Sequence, residues 1–421
     1  MPEIKDTLID LNPWWKSEWA VDYKERDIYR DIRKFLALPQ VVSLTGLRRV
    51  GKTTLMLKIA ADRIAHGLDP THVLYFSFDE FQGVEIREIL REYASLTTVD
   101  LDKGSCLVLL DEIQKLEGWE NQLKTLYDRY RKTVKLIVSG SESLFIRQGS
   151  RETLAGRLFE FKVEPLSFHE YLTFRGVRFE PMDLYGRELA NLFDEFVRTQ
   201  GFPELVGIRD KGVLKKYVHE SVIDRVVFRD LPTLLKLRDL GVLRSLLSIF
   251  VEEPGQLVEL SDLAGQLGVS RQTVSNYLTC LEESFLLRRL YNYSPNRRKV
   301  ERKLKRYYPT VLSVDLLFKE DDHSRSKVFE WAVVMQSRGE FFWRDPYKHE
   351  VDIVLGNRKP IPVEVKYGKV GFEGLEAFMR KFRVNSGYVV TPDTEDKRNV
   401  GGKTISVVPA YKFLLRTMGT R

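Results

Sequence analysis

The sequence predicts an α/β protein whose first part is built on a parallel sheet. Between residues 41 and 165, apolar runs alternate with helical patterns, and these runs are VVSLTG, VLYFSFD, CLVLLDE, KLIVSGS and FEFKVEP. Continuous Val, Leu and Ile runs separated by helices are typical of strands that are buried on both faces. After Pro165 the pattern turns helical and polar until about residue 295, and the rest of the chain mixes short strands with two amphipathic helices.

Length and composition limit the class of protein further. With 421 residues we expect about three domains, because a single core rarely grows beyond about 250 residues. The chain has no run of about 18 apolar residues and its acidic start has no apolar signal core, so we expect no membrane segment and a cytoplasmic location. Cys106 and Cys280 lie far apart in apolar segments, which predicts core residues in a reducing compartment.

The charge distribution is compatible with a nucleic-acid partner. The formal net charge is +7, although 67 basic residues are nearly matched by 60 acidic ones. The densest basic run is RRKVERKLKR, residues 297–306. Such a run could follow phosphates, or it could be an ordinary solvated face.

A phosphate-binding loop is the strongest local signal. Gly46 is followed after four residues by Gly51, Lys52 and Thr53, and this segment lies between the strand VVSL and the helical run TTLMLKIAADRIA. Glycines let backbone N–H groups curl around phosphate oxygens, and the helix N-terminus adds its positive dipole end. We therefore predict that Lys52 reaches the β- and γ-phosphates of ATP and that Thr53 binds Mg²⁺.

Polar residues at the ends of two further strands support this prediction. SCLVLLDEIQ ends in Asp111, which would bind the magnesium ion, and Glu112, which would polarise the attacking water. The alternative is a pair of residues that cap a helix. KLIVSGSES ends in Ser139 and Ser141, and a serine there could contact the γ-phosphate or orient the water.

Two groups of residues outside these strand ends have alternative interpretations. Arg157, in LAGRLFE, is a candidate arginine finger that acts on a neighbouring subunit if the protein forms rings, and a surface salt bridge is the alternative. Trp14, Trp15 and Trp19 could flank an adenine, or they could be core residues.

The segment VELSDLAGQLGVSRQTVSNYL predicts two helices joined by a tight turn. Ser261 would cap the first helix, Gly268 and Val269 would form the turn, and Ser270 would cap the second. Core spacing is shown by Val274, Leu278 and Leu281. The side chains expected to point outward, all able to contact bases or phosphates, are Arg271, Gln272, Thr273, Ser275, Asn276 and Tyr277. A lid or a protein contact is the alternative.

The segment HEVDIVLGNRKPIPVEVK predicts a hairpin with acids on one face. Asp352 alternates with apolar residues in the first strand, as Glu364 and Lys366 do in the second. If residues 357–359 form the loop, Asp352 falls opposite Glu364. A further acid, Glu330, lies upstream in the helical run SKVFEWAVVMQSRG.

Carboxylates that converge in this way are costly without a cation. We therefore predict a divalent ion bound by Glu330, Asp352 and Glu364, with Lys366 supporting the attacking water or the leaving charge. The alternative is an ion network on a domain that binds DNA or protein without cutting.

Several motifs resemble those of a known family. GLRRVGKTTL, LLDEIQ, SGSESL, LAGR, EPLSFHEYL and GFPELV occur in the order seen in archaeal-type AAA ATPases of the STAND-like/ASCE branch of P-loop proteins. By this resemblance, Arg48 and Arg49 match a pair that the family carries inside its phosphate loop. The middle of the chain resembles a winged helix, and its last part resembles the PD-(D/E)XK nuclease core, although Val351 replaces the proline of that signature.

The predicted site residues fall into three groups. The nucleotide contacts are Gly46, Arg48, Arg49, Val50, Gly51, Lys52, Thr53, Thr54, Asp111 and Ser139. The catalytic residues are Lys52, Glu112, Arg157, Glu364 and Lys366. The metal ligands are Thr53 and Asp111 at the first site and Glu330, Asp352 and Glu364 at the second.

These predictions define four domains. They are a P-loop ATPase core of residues 1–165, a helical lid or connector of 166–240, a winged helix of 241–296 and a restriction-endonuclease-like α/β domain of 297–421. The expected protein hydrolyses ATP with Mg²⁺, acts on DNA and forms a homo-oligomer if Arg157 is a finger. A second divalent ion and endonuclease activity are the expectation for the last domain. Two alternatives stay open: a non-cutting ATP-dependent regulator, and a transport or chaperone ATPase without DNA affinity.

Overall fold

The computed structural model describes residues 4–79, 81, 83–141, 152–234, 239–296, 298, 300, 304–356, 358–369 and 371–418. The chain divides into two compact units, Met1–Pro165 and Leu166–Arg421. Each unit has its own sheet and its own hydrophobic core. In the described ranges, no helix combines the length and apolar character that a membrane span requires.

The sheet of the first unit has, among the described residues, five strands that are all parallel, as the apolar runs predict. They are β1 (Val41–Thr45), β2 (Val73–Ser77), β3 (Cys106–Asp111), β4 (Val134–Gly140) and β5 (Leu158–Lys162). Every residue of β1 and β3 is buried, which is the burial of strands covered on both faces. The strand order is β2-β3-β4-β1-β5.

Helices connect these strands and cover the sheet. They are α1 (Ile4–Leu11), α2 (Asp27–Phe35), α3 (Lys52–Ala65), α4 (Ile86–Thr97) and α5 (Trp119–Tyr130). On α4 the buried residues Ile86, Ile89 and Tyr93 follow the spacing of one helix face. The edge strand β2 is covered by Asn12, whose side-chain amide exchanges two hydrogen bonds with the backbone of Tyr75, at 2.7 and 2.9 Å.

The strand order decides which loops meet. β4 lies between β1 and β3, and it pairs with β1 through Leu44 and Ser139 and with β3 through Leu110 and Val138. Parallel strands place their carboxyl ends at one edge of the sheet. The segments that follow β1, β3 and β4 are therefore neighbours, which the strand predictions alone did not establish.

The second unit contains a mixed sheet that has nine strands within the part of the chain that the structure describes. They are β6 (Gln256–Val258), β7 (Leu287–Asn292), β8 (Lys305–Pro309), β9 (Phe341–Arg344), β10 (Glu350–Leu355), β11 (Ile361–Val365), β12 (Ser386–Thr391), β13 (Asp396–Val400) and β14 (Lys403–Pro409). The order is β13-β14-β12-β11-β10-β9-β7-β8-β6. Because β7 pairs in parallel with β9, one sheet continues across residue 296. The domain boundaries near residues 240 and 296 stay predictions.

Helices lie between and beside these strands. They are α6 (Phe168–Arg175), α7 (Gly186–Thr199), α8 (Lys211–Lys216), α9 (Leu231–Leu234), α10 (Leu240–Glu252), α11 (Leu260–Leu267), α12 (Arg271–Glu283), α13 (Val314–Leu317), α14 (Asp322–Ser337), α15 (Glu373–Phe382) and α16 (Ala410–Met418). After residue 297 the described residues form three longer helices, α14 to α16, where the sequence predicted two.

The hairpin of β10 and β11 differs from the prediction on one face. Strict alternation would place Val351 on the same side as Ile353 and Leu355, yet it packs in a separate core cluster with Trp343. The pairing of β10 with β9 shifts register between Val351 and Val354. A β-bulge of this kind inserts one extra residue into the strand, so the side chains that follow it point to the opposite face of the sheet.

The predicted helix pair is present as α11 and α12. Ser270 caps α12, since its Oγ accepts a hydrogen bond from the N–H of Thr273 at 3.1 Å. Two details were wrong. Ser261 lies inside α11, whose cap is Glu259. Tyr277 is buried because it shares a helix face with the core residues Val274 and Leu281. Its hydroxyl accepts a hydrogen bond from the N–H of Asp239 at 3.3 Å.

Candidate functional site

The glycines of the loop after β1 occupy positions that exclude larger residues. Gly46 has a φ of +147°, and a Cβ added to it would lie 2.2 Å from the carbonyl oxygen of Val163. Gly51 has a φ of +95° and directly precedes α3. These two backbone positions hold residues 46–51 as a tight loop at the N-terminus of a helix.

Lys52 lies beneath this loop. Its side chain is buried, and Nζ donates hydrogen bonds to the carbonyl oxygens of Gly46 at 3.0 Å and Leu47 at 2.8 Å. The ammonium group is thus directed at the loop that was predicted to bind phosphates. Arg49 has a φ of +63°, the left-handed region, and is exposed, whereas Val50 is buried.

The predicted residues Thr53, Asp111 and Ser139 are brought together. Thr53 Oγ1 donates a hydrogen bond to Asp111 Oδ2 at 2.6 Å, and the Tyr75 hydroxyl donates to the same oxygen at 2.8 Å. Ser139 Oγ donates to the other oxygen, Oδ1. Burial and the adjacent Asp111 carboxylate raise the pKa of Tyr75, so its hydroxyl remains a donor.

Glu112 lies next to this group in a turned backbone. Its φ is +53°, and its N–H donates to Asp111 Oδ1 and to Ser139 Oγ, both at 3.1 Å. The Glu112 carboxylate accepts a hydrogen bond from Gln114 Nε2 at 2.5 Å, and the same amide donates to Ser141 Oγ at 3.2 Å. The predicted alternative, that Asp111 and Glu112 cap a helix, finds no support, since the 3₁₀ turn that follows has no side-chain cap.

The second predicted cluster also assembles, on β10, β11 and α14. Ile353 pairs with Val363, and the adjacent Asp352 accepts a hydrogen bond from the N–H of Val365 at 2.8 Å, so Asp352 lies beside the strand that carries Glu364. Lys366 Nζ forms an ion pair with Glu364 Oε1 at 2.7 Å. Asp352 and Glu364 are both buried.

A residue that the sequence did not predict here, Arg306 of β8, lies among these acids. Its guanidinium is 3.5 Å from Asp352 Oδ1 and 3.6 Å from Glu330 Oε1, and it also pairs with Glu350. Glu330 Oε1 additionally accepts a hydrogen bond from the Tyr308 hydroxyl at 2.7 Å. We call Arg306, Tyr308 and the four acids at 330, 350, 352 and 364, together with Lys366, the carboxylate cluster.

Burial changes the protonation of these acids. Burial and the Asp352 charge raise the pKa of Glu330 to about 7 and that of Glu364 to about 8. Burial also raises the pKa of Asp352, against the opposing effect of Arg306. For Lys366, burial opposes the charged form, but the neighbouring Glu364 raises its pKa. The raised pKa values favour the neutral form of the Glu330 and Glu364 carboxyls near neutral pH, whereas Lys366 and Arg306 stay charged.

Groups of the protein itself contact several oxygens of the carboxylate cluster, while Glu364 Oε2 is buried without a hydrogen-bond partner among the described residues. The oxygens of Asp352 are taken by the N–H of Val365, at 2.8 Å, and by Arg306. Over the described residues, no group of three or more His, Cys, Asp or Glu side chains could hold a metal ion. Metal ligation by Glu330, Asp352 and Glu364 stays a prediction, and Arg306 provides the cation that these acids were expected to need.

Three of the six side chains that were predicted to point outward on the second helix are exposed. On α12, Arg271, Gln272 and Asn276 are exposed. Of the basic run 297–306, residues 297, 299 and 301–303 lie outside the described residues. Arg306, which was counted in that run, does not follow a surface because it is buried in the carboxylate cluster.

Three parts of the chain match models of known protein domains. Residues 38–172 match a family model described as an AAA domain. The chain carries an AAA-type P-loop ATPase domain. Residues 190–310 and 332–413 match two models that are each described as a domain of unknown function, DUF8612 and DUF4143.

Similar chains occur in archaea and bacteria. MJ1637 of Methanocaldococcus jannaschii is 24% identical over 451 residues, which covers 98% of this chain and 92% of that protein. A Haemophilus influenzae protein is 27% identical over 257 residues, 59% of this chain and 62% of that protein. Rv2008c of Mycobacterium tuberculosis is 25% identical over 358 residues, 82% of this chain and 74% of that protein. All three are described as uncharacterized and give no activity to compare.

Solved structures give only distant likenesses. RuvB of Thermotoga maritima has a TM-score of 0.33 at 18% identity and covers 65% of this chain and 92% of its own. The replication initiator DnaA bound to AMPPCP and single-stranded DNA has a TM-score of 0.30 at 16% identity and covers 65% of this chain and 93% of its own. TM-scores of this size carry no conclusion about function.

Within the AAA domain, Arg157 lies far from the phosphate loop of its own chain. It directly precedes β5, its carbonyl accepts a hydrogen bond from the N–H of Val41, and its guanidinium pairs with Asp128 at 3.0 Å. Val41 begins β1, whereas the loop follows the end of β1. The tryptophans are at the same amino edge: Trp14 and Trp15 both donate their indole N–H to the carbonyl of Val73, as core residues would.

Two residues of the AAA domain site were missed by sequence reasoning. Arg26 is buried, and its guanidinium donates to the carbonyls of Val50 at 2.8 Å and Glu164 at 2.7 Å, which ties the loop to a distant segment. Gln114 contacts Glu112 as described above. Arg26 has no pattern that marks it in the sequence, but Gln114 lies two residues after Glu112 and belongs to a quoted motif, which was an available signal.

Proposed function

We propose that the AAA domain binds ATP on residues 46–53 and hydrolyses it, and that its nucleotide state controls how the second unit acts on DNA. The observation that carries the proposal is the 2.6 Å contact between Thr53 Oγ1 and Asp111 Oδ2. It joins a hydroxyl at the start of a helix to a carboxylate at the end of another strand, directly beside the glycine loop. Magnesium-dependent nucleotide chemistry uses this pair of groups in this place.

The loop and Lys52 would bind the phosphates. Lys52 Nζ donates to two neutral carbonyl oxygens, and a triphosphate offers it charged oxygens instead, which accept stronger hydrogen bonds. The backbone N–H groups of residues 47–52 and the N-terminus of α3 add positive potential at the same point.

Mg²⁺ fits the donors at this position. Thr53 and Asp111 provide the oxygen ligands that this ion prefers, and they would hold it. Bound there, the ion neutralises charge on the phosphates. The hydroxyls of Ser139 and Tyr75 orient the Asp111 carboxylate without neutralising it.

Glu112 is the proposed base for hydrolysis. It takes a proton from the attacking water while the water oxygen bonds to the γ-phosphorus and the bond to the bridging oxygen of ADP breaks. Arg157 would stabilise the charge that develops on the phosphate in a neighbouring subunit. This role requires a homo-oligomer, because Arg157 lies at the opposite edge of the sheet in its own chain.

DNA binding is proposed for the second unit. The order α10, β6, α11, α12, β7, β8 and the pairing of β8 with both β7 and β6 support the proposal that this segment is a winged helix. The exposed Arg271, Gln272 and Asn276 of α12 are side chains that can contact phosphates or base edges in the major groove. The net charge of +7 is consistent with such a partner.

The test is ATPase activity with and without linear and branched DNA, combined with gel shifts over a salt series. We expect turnover that requires Mg²⁺ and responds to DNA. Arg271→Ala should weaken DNA binding severalfold and lower the salt slope by about 1. Arg209→Ala, an exposed arginine on a different segment, is the control. Turnover without any salt-dependent DNA binding would instead support a transport or chaperone ATPase.

Arg306 favours a second candidate for the last domain, a non-cutting clamp. Its guanidinium already compensates Glu330, Glu350 and Asp352, so the cluster holds a resident cation. The test is incubation of DNA with Mg²⁺ or Mn²⁺, with Asp352→Ala as the comparison. If neither the wild type nor Asp352→Ala cuts DNA, the result supports the clamp. If the wild type cuts DNA and Asp352→Ala does not, the result supports the nuclease.

A further inference from the structure

Gln114 is a buried side chain between the ends of β3 and β4. It lies in the short turn Ile113–Lys115, with 7% of its surface exposed. An ionised carboxylate only accepts hydrogen bonds, so the N–H side of the amide must face Glu112, where Nε2 is 2.5 Å from Oε2. The Ser141 hydroxyl, 3.2 Å from the same nitrogen, supports this orientation.

The other end of this amide is unsatisfied. With its nitrogen directed at Glu112 and Ser141, Gln114 Oε1 is a buried acceptor that has no hydrogen-bond partner among the residues described. Buried polar atoms of this kind are uncommon and point to a missing donor. The oxygen is enclosed, so among the described residues the amide is held through its nitrogen, which contacts Glu112 and Ser141.

Within the described part of the chain, the hydrogen bonds of Glu112 other than that with Gln114 hold its main chain and not its carboxylate. The φ of +53° and the two hydrogen bonds of its N–H hold the backbone. The side chain retains three rotatable bonds, each with several staggered positions. Gln114 is the neighbour that selects one position for the carboxylate.

We infer that Gln114 is a positioning residue for hydrolysis. Its N–H group holds the Glu112 carboxylate in one position, from which the carboxylate can take a proton from the attacking water. This inference rests on the proposed function, since it names the residue that prepares the proposed base and its water.

Gln114→Met tests the inference because it conserves volume and removes both the donor and the acceptor. Gln114→Glu keeps acceptors, removes the donor and adds a negative charge beside Glu112. We expect both variants to lower kcat by about 10- to 100-fold, the range for a group that supports proton transfer. KM for ATP and the Kd for a non-hydrolysable analogue should change by less than about twofold, since neither contact is made to nucleotide.

Controls separate a local role from a general one. Gln122→Ala removes a glutamine of α5 that hydrogen-bonds the N–H of Ile86, and it should leave kcat and KM unchanged. Because Glu112 and Gln114 act as a unit, Glu112→Gln combined with Gln114→Met should be no slower than Glu112→Gln alone.

Three outcomes would overturn the inference. The first is a Gln114→Met protein with the kcat of the wild type. The second is a variant whose KM and Kd rise in step with the loss of kcat, which indicates a purely structural residue. The third is a wild-type chain that neither binds nor turns over ATP. That result removes the proposed function as well, whereas the first two leave it standing.

Discussion

Two regions of this molecule gather acids, and they compensate the charge in different ways. In the AAA domain, Asp111 is held by three hydroxyls, those of Thr53, Tyr75 and Ser139. The ammonium of Lys52 is directed at loop carbonyls. In the second unit, the carboxylate cluster is paired with cations of the protein itself, namely Arg306, Arg344 and Lys366.

The Asp111 site leaves a carboxylate charge for an incoming cation, whereas the carboxylate cluster already contains cationic side chains of the protein. A hydroxyl orients a carboxylate and leaves its charge in place, so an incoming magnesium ion is attracted. A guanidinium cancels that charge, and a metal ion that approached it would be repelled. Acids that converge on one face therefore do not define a metal site until their partners are known.

Removing Arg306 should have the largest effect on this contrast. Arg306→Met leaves buried acids without their cation, and we expect the free energy of unfolding of the second unit to fall by about 3–5 kcal/mol at neutral pH. Calorimetric unfolding measures the loss. Arg209→Met, which breaks an exposed pair with Glu195, should cost less than about 1 kcal/mol.

The same variant also tests the comparison with magnesium. Mg²⁺ should raise the unfolding temperature of Arg306→Met, because removal of the guanidinium leaves room for a cation among the acids. In the wild type, Mg²⁺ should not change the unfolding temperature of the second unit. Equal stability of Arg306→Met and wild type at neutral pH would mean that Arg306 does not compensate the cluster.

At the other site, Lys52→Ala should abolish most ATP turnover. A single preorganised donor to developing charge accounts for about 100- to 1,000-fold in kcat, and Lys52 combines a donor with a full charge. Lys58→Ala is the matched control, because Lys58 lies on the same helix and pairs with Asp62 away from the loop. Normal hydrolysis by Lys52→Ala would refute the nucleotide assignment.

The pH dependence of stability is the third expected effect. Glu364 has its pKa raised from 4.5 to about 8 in the folded chain, so the folded state binds more protons than the unfolded state across that window. The contribution of Glu364 to folding stability is fully present below its ordinary pKa of 4.5. It is lost as the pH rises through the folded-state pKa of about 8. The slope is on the order of 1 kcal/mol per pH unit for one proton.

Glu364→Gln should remove this slope, because a glutamine carries no titrating proton. Unfolding measured over the same pH window gives the difference between the variant and the wild type. Stability of the wild type that rises with pH across the window, with no change in Glu364→Gln, would contradict the assigned protonation.

The smallest effect is expected for Tyr308→Phe. The tyrosine is fully buried and its hydroxyl donates to Glu330 at 2.7 Å, so the variant loses about 1–2 kcal/mol of stability. Tyr347→Phe, at a tyrosine that is 84% exposed, should change nothing measurable. A Tyr308→Phe protein as stable as the wild type would show that Arg306 alone satisfies Glu330.

Much of the fold was predictable from local pattern. The five apolar runs of the first unit became its strands, Ser270 began the second helix of the pair, and the hairpin placed Asp352 beside the strand that carries Glu364. The two failures have different causes. Tyr277 turned inward because it shares a helix face with the buried Val274 and Leu281, which is a local reason. Val351 packed apart from Ile353 because the pairing with β9, a strand outside the hairpin, shifts register.

The sequence by itself determined the features that depend on adjacent residues. The alternation of side chains, the positive φ of Gly46 and Gly51, and the acids that end β3 all follow from local sterics and strand period. Only the tertiary structure decided which charges meet. Arg306 meets Glu330, Glu350 and Asp352 only in the folded chain, and pairing at a distance leaves no mark in a local pattern.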